Sequence, residues 1–216
     1  MRALIFTGGE GPAPDFARRL AGAADFIIAA DSGLVAARAA GILPDLAVGD
    51  FDSLPDRGLL AAMPRESVLE YPTDKDDTDT ELAIRIAAER GADWIAIAGG
   101  GGGRLDHLLG VFNLFARRPG LAPREWHTGA ESAYAISAGE TVRFSAMPGD
   151  IVSVFPINGD GSSGMASAGL KWPLKGLVWE KGRFGISNVA LGDRLSISAG
   201  TSSLVVILPG GRERVL

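Results

Sequence analysis

Cysteine is absent from these 216 residues, which removes disulfides, thiolate nucleophiles and Cys-ligated zinc together. Histidine is scarce, at two residues, so any bound metal is expected on oxygen ligands. Lysine is confined to Lys75, Lys171, Lys175 and Lys181, none followed by Ser or Thr, which excludes a Walker A phosphate loop. The glycines of TGGEGPAP, after the first apolar run, lack the spacing of a Rossmann dinucleotide fingerprint. Long apolar runs are missing as well. The longest charge-free stretch, Leu195 to Gly211, carries five Ser/Thr hydroxyls and Pro209 and is too short for a bilayer-spanning helix, so no membrane segment is expected. At the amino end the apolar run Ala3 to Phe6 is too short for the core of a signal peptide, and the protein is read as cytoplasmic. No basic stripe is visible in a chain of net charge -5, which argues against nucleic acid as a partner.

What is present is an ordinary globular composition, 46% apolar and 22% charged, long enough for one large domain or two smaller ones. Its acidity is concentrated. Between Asp45 and Glu81 eleven carboxylates face Arg57, Arg65 and Lys75, a net -8 that leaves the remainder of the chain at +3. A solvated acidic face is the plain explanation of such a run. The first half alternates short apolar runs (Ala3 to Phe6, Phe26 to Ala30, Leu46 to Val48, Val68 to Tyr71, Trp94 to Ala98) with helical stretches, as a mainly parallel, Rossmann-like sheet with crossover helices would. The helices are expected around Asp15 to Ala21, Leu34 to Ala40, Asp56 to Ala62, Asp79 to Arg90 and Leu105 to Arg117. The fourth is marked by a capping box from Thr78 to Glu81, and by Gly91 just past its end. Beyond Pro119, Gly120 and Pro123 only short β-like runs remain, such as Thr141 to Ser145, Ile151 to Ile157, Arg194 to Ser198 and Leu204 to Leu208. They suggest an all-β sandwich. The expected boundary gives an α/β domain over residues 1–121 and a β domain over 122–216.

Ligands of an open parallel sheet bind outside the carboxyl ends of its strands, and the acidic residues fall there. One strand runs into GDFDS, where Asp50 and Asp52 project to one side if the backbone stays extended. Another runs into PTDKDDTDTE with Asp74, Asp76, Asp77 and Asp79. A third meets Asp31, Ser32 and Gly33, and a fourth meets GGGGGRLDH with Arg104, Asp106 and His107. Carboxylates at four successive βα junctions repel one another and are tolerated mainly with cations among them; oxygen ligands with open positions suit Mg²⁺, which commonly arrives with phosphates. Backbone amides of the glycine tract, the helix end after it and the Arg104 fork suit the phosphate side. Alternatives stand beside each element: the glycines as a plain turn, Asp50 and Asp52 as cap and turn residues, Asp79 as a helix-start residue, His107 as an ordinary helix residue.

The order DSG, PDLAVGDFDS, YPTDKDDTDTELA and GGGGGRLDH, followed by GLKWPL and GISN, resembles the thiamine pyrophosphokinase (thiamine diphosphokinase) family from Asp31 to Asn188. Departures are small: Ser32 where the family often has a second Gly, Leu34 and Val35 for a commoner small-polar pair, and a longer glycine tract. The resemblance implies a nucleotide-binding catalytic domain, a thiamine-binding β-sandwich and a homodimer with its active site shared between subunits. The implied reaction moves a pyrophosphoryl group from ATP to the hydroxyethyl oxygen of thiamine, with Mg²⁺, and releases AMP. By matching positions it implies Asp50, Asp52 and Asp79 as catalytic and, with Asp74, as metal ligands. Asp31, Gly33, Asp74, Lys75, Thr78, Arg104 and Asp106 would line the nucleotide. Trp172, Ser187 and Asn188 would hold thiamine, Trp172 through its ring face, although a core or interface aromatic is the ordinary reading of that residue. Another pyrophosphokinase, such as a hydroxymethylpterin diphosphokinase, and a non-catalytic ATP-Mg²⁺ sensor are the alternatives.

Overall fold

The structure is a computed structural model and describes residues 1–159 and 161–215. The chain divides into two compact units, Met1–Gly129 and Ala130–Leu216.

In the first unit six strands pair in parallel: β1 (Arg2–Phe6), β2 (Phe26–Ala30), β3 (Leu46–Gly49), β4 (Val68–Glu70), β5 (Trp94–Ala98) and β6 (Glu125–His127). Their order is β6-β5-β1-β2-β3-β4. The central strands are continuous apolar runs because helices cover both faces of a parallel sheet, and Ile5, Ile28, Val48 and Ile97 are fully buried. The crossovers carry α1 (Pro14–Gly22), α2 (Gly33–Ala39), α3 (Gly58–Ala61), α4 (Asp79–Glu89) and α5 (Leu105–Leu114). The capping box forms as expected, Thr78 with Glu81, and α4 stops at Gly91, whose φ of 87° only glycine adopts at little cost. Small residues at Ala37, Ala83 and Ala87 let α2 and α4 lie close on the sheet. From β1 the chain builds outward to β4, then returns to place β5 on the other side of β1. Between β1 and β5 the order reverses, so the crevice at their carboxyl ends is the switch point where α/β sheets take ligands.

Two expectations shift. The helix expected at Asp56 to Ala62 shrinks to the single turn of α3, whose residues include none that is buried. The division falls after Gly129 instead of 121, because β6 extends the parallel sheet beside β5. Glu125 and His127 in that strand are buried and face each other at 3.1 Å.

In the second unit a 3-10 turn at Ile157–Gly159 accompanies the strands β7 (Glu131–Ile136), β8 (Thr141–Ser145), β9 (Ile151–Pro156), β10 (Ala166–Ala168), β11 (Gly185–Val189), β12 (Arg194–Ser198), β13 (Leu204–Pro209) and β14 (Arg214–Val215). Antiparallel pairing gives the sets β11-β9-β13-β7 and β10-β12-β8-β14. Alternate residues of β8, β9 and β12 point inward. Tyr134, Val152, Val154 and Val206 of one set share a core with Val142, Phe144, Leu195 and Ile197 of the other, as in a sandwich. Each large side chain so buried contributes roughly 1.5 to 3 kcal/mol. Among the described residues, no helix is long and apolar enough to cross a membrane.

Candidate active site

A cleft of about 1020 Å³ opens in the first unit at the carboxyl ends of β1, β2, β3 and β5. Its floor is acidic. Asp31 directly follows β2 in a left-handed conformation (φ 47°), pinned by its amide on the Val48 carbonyl at 2.9 Å. Asp50 directly follows β3, and Asp79 opens α4. Oxygens of these three carboxylates lie within 4.8 Å of one another. Gly49 makes the approach possible: a Cβ there would stand 3.2 Å from Asp79 Cγ and 3.3 Å from Asp31 Cα.

Lys75 sits on this cluster. Its Nζ donates to Asp50 Oδ2 and the Pro72 carbonyl, each at 3.1 Å, and lies 3.2 Å from Asp79 Oδ1, close enough for charge pairing though outside hydrogen-bond geometry. The consequences for the acids differ. Burial pulls the Asp50 carboxyl up, but hydrogen bonds from Lys75 and the Asp52 amide outweigh it and hold Asp50 below the ordinary range. Burial, with Asp50 and Asp31 adding to it, pushes Asp79 up despite Lys75. For Lys75 burial is outweighed by the two carboxylates, which raise its pKa and keep it an ammonium. Oδ1 of Asp31 is buried without a hydrogen-bond partner among the described residues, and buried Oδ1 of Asp79 has only the charge contact of Lys75. Hard oxygens this close, with acceptors unsatisfied, fit a divalent cation.

Asp52 is not part of the cluster. Phe51 between the two aspartates is buried with a φ of 57°, so the backbone turns instead of running extended. Asp50 faces inward; Asp52 stays exposed on the cleft wall, its Oδ1 accepting from the Ser53 hydroxyl at 3.0 Å. Asp74 is exposed and off the wall. Gly33 is also off it: a Cβ at this position would stand 2.2 Å from the Phe6 carbonyl oxygen, so the glycine serves the packing of α2 on β1.

The glycine tract forms the opposite wall. Gly99 lies against β1, where a Cβ would meet the Thr7 carbonyl at 2.2 Å. The amides of Gly99, Gly100 and Gly101 are already bonded to the carbonyls of His127, Gly8 and Glu10, leaving exposed Gly102 and Gly103 to meet an anion. Arg104 and Asp106 pair at 2.6 Å on the rim, and that guanidinium holds the Asp106 carboxyl below its usual range. His107 lines the cleft in the first turn of α5. Thr78 reaches the wall with its hydroxyl engaged in the α4 cap.

Several wall residues are silent in the sequence. Thr7 and Thr80 share a hydroxyl hydrogen bond of 2.8 Å, and Glu81, besides capping α4, pairs with Arg117 beyond α5. Separations of 73 and 36 residues leave no local signal.

In the second unit, Trp172 is 54% exposed, with Lys171 Nζ 4.7 Å from its ring centroid. Asn188 is committed to the backbone of Trp172: its Oδ1 accepts from the Trp172 amide at 3.1 Å and its Nδ2 donates to the Trp172 carbonyl at 2.7 Å. Asn188 thus clamps the backbone of Trp172. Ser187 is exposed at a break in the β11–β9 register, with φ 59°.

A parallel sheet with an acidic, cation-ready cleft at its switch point defines an α/β protein equipped for a metal-bound anionic ligand. Residues 17–121 match the family described as thiamin pyrophosphokinase, catalytic domain. A thiamine pyrophosphokinase of Bacillus subtilis (strain 168) is 43% identical over 90 residues, a stretch covering 40% of this chain and 41% of that protein. The structure of a Bacillus subtilis thiamine pyrophosphokinase superposes with a TM-score of 0.79 at 26% identity, over 98% of this chain and 100% of that one. That of a Geobacillus thermodenitrificans thiamin pyrophosphokinase does so with a TM-score of 0.76 at 28% identity, over 97% and 98%. By sequence over residues 17–121, and by fold over nearly its whole length, the chain is similar to thiamin pyrophosphokinases.

Proposed function

We propose that the protein is a thiamine diphosphokinase that transfers the pyrophosphoryl group of ATP to the hydroxyethyl oxygen of thiamine. The bond between that oxygen and Pβ forms as the bond from Pβ to the α-phosphate oxygen breaks; the hydroxyl proton is lost and AMP leaves. The observation that carries this reading is the cluster of Asp31, Asp50 and Asp79 in the same cleft as the glycine tract. A bound Mg²⁺ would neutralise charge on the polyphosphate. Asp31, Asp50 and Asp79 would hold it, with Asp52 at the rim; Asp74, exposed and off the wall, is left out of that set. Lys75 and Arg104 supply positive charge for phosphate oxygens, while Gly102, Gly103, Thr78 and Asp106 border the nucleotide.

Trp172 offers the acceptor a flat face, worth about 0.5 to 2 kcal/mol against a cationic ring, and Ser187 stands exposed in the same unit. In this reading the protein works as a cytoplasmic homodimer, the Trp172 of one subunit serving the carboxylates of the other. Incubation with ATP, Mg²⁺ and thiamine is expected to yield AMP and thiamine pyrophosphate in equal amounts, with none from a hydroxymethylpterin. AMP from the pterin alone, or from neither acceptor, would overturn the assignment.

A further inference from the structure

Lys75 occupies the place in the cleft that a metal would want. Its ammonium contacts Asp50 and Asp79, two of the three clustered carboxylates, and its side chain is 13% exposed. A third oxygen, the Pro72 carbonyl in the preceding turn, fixes its position. A divalent ion on the same carboxylate oxygens would stand within a few ångströms of this like charge, inside a partly dehydrated pocket where screening is weak. Both cations cannot hold those oxygens together at low cost. With the ammonium in place, three carboxylates keep two uncompensated charges; with it gone they keep three and gain two free ligand oxygens.

We propose that Lys75 is an internal counter-ion that competes with the divalent cation for Asp50 and Asp79, so that metal enters the cleft efficiently only with a polyphosphate able to take over the ammonium. The proposal rests on the metal and polyphosphate reading of this cleft. It gives Lys75 two jobs in sequence: it keeps the carboxylates gathered when no metal is bound, then it is released toward phosphate oxygens. A chain that held the metal tightly without nucleotide would have no need of such a residue.

The test uses Mn²⁺ as the probe, read by electron paramagnetic resonance and calorimetry in the absence of nucleotide. Lys75→Met, which keeps the length of the side chain and removes its charge, is expected to bind Mn²⁺ at least 10-fold more tightly than the unaltered chain. Its metal-free thermal midpoint should fall and recover when Mn²⁺ is added. Equal or weaker Mn²⁺ binding by Lys75→Met overturns the competition while leaving the metal site intact; no Mn²⁺ binding by either protein overturns the metal reading itself.

A second measurement needs no variant. The chain has only four lysines, so amine acylation followed by peptide mass spectrometry can report Lys75 against Lys171, Lys175 and Lys181. Mn²⁺ at concentrations that fill the site should raise the relative labelling of Lys75 several-fold. Unchanged labelling at full occupancy would mean that ammonium and metal share the cluster, and the proposal fails.

Discussion

Asp79 stands in the first turn of α4, where the helix dipole favours negative charge, yet burial and the neighbouring Asp50 and Asp31 raise its carboxyl further than Lys75 lowers it. With its folded-state pKa above the unfolded value, this group favours folding most at low pH. That contribution is lost as the pH rises through the raised folded value, so at neutral pH the ionised side chain is a burden on the fold. Asp79→Asn removes the charge and keeps the shape. The variant is expected to melt at the same temperature as the unaltered chain at neutral pH, or a few degrees higher, while turnover falls about 100-fold or more. Circular-dichroism melts beside an AMP assay check both halves; a midpoint several degrees lower would mean that the contact with Lys75 outweighs the strain.

At the scale of elements, the β11 strand and the GLKWPL segment work as a pair, because Asn188 holds the backbone of Trp172 from both sides. If the indole stacks on the acceptor, Trp172→Ala should weaken thiamine binding about 10-fold and leave ATP-Mg²⁺ binding nearly unchanged. Asn188→Ala should move the same constant in the same direction by a smaller factor, and equal losses for both ligands in calorimetry would refute the division of labour. A second tie joins the turn after β8 to the turn after β13: Asp150 accepts from Arg212 at 2.5 and 3.1 Å, and from the Met147 amide at 2.7 Å. The Arg212 guanidinium, with burial opposing it, holds the Asp150 carboxyl below its ordinary value. A depressed folded-state pKa gives stability that is present above the ordinary Asp range and lost as the pH falls through and below it. Asp150→Asn is therefore expected to cost about 1.5 to 3 kcal/mol at neutral pH, a difference that denaturant melts should see shrink in acid. Elements of this kind were unequally legible. Strands β8 and β12 alternate over whole periods, and α4 announces both of its ends, so their residues alone place them. By contrast, β6 has three residues, shorter than a readable pattern, and β11 is broken by a register shift. The carboxylate rim was readable because strand ends gather it. The inward turn of Asp50 away from Asp52 was not, since it depends on Phe51 being buried in a left-handed conformation.

For the whole molecule, the carboxylates and Trp172 belong to different compact units of the chain, and the proposed reaction needs both against one thiamine. If each working site joins the first unit of one subunit to the second unit of its partner, two damaged chains can repair each other. Asp52→Asn is expected to lower turnover by about 100-fold with little effect on folding, because this side chain is exposed on the cleft wall. Trp172→Ala loses the acceptor face alone. In a heterodimer of the two, one site receives both lesions and the other receives neither, since its carboxylates come from the Trp172→Ala chain and its indole from the Asp52→Asn chain. Equal mixing with free exchange makes half of the dimers mixed, so activity should return to about a quarter of that of the unaltered protein, well above either variant alone. Exchange must be demonstrated independently, for example by native mass spectrometry of isotopically labelled chains. Absence of rescue in a mixture shown to contain heterodimers would mean that each site is completed within a single chain, and the shared-site arrangement would be abandoned.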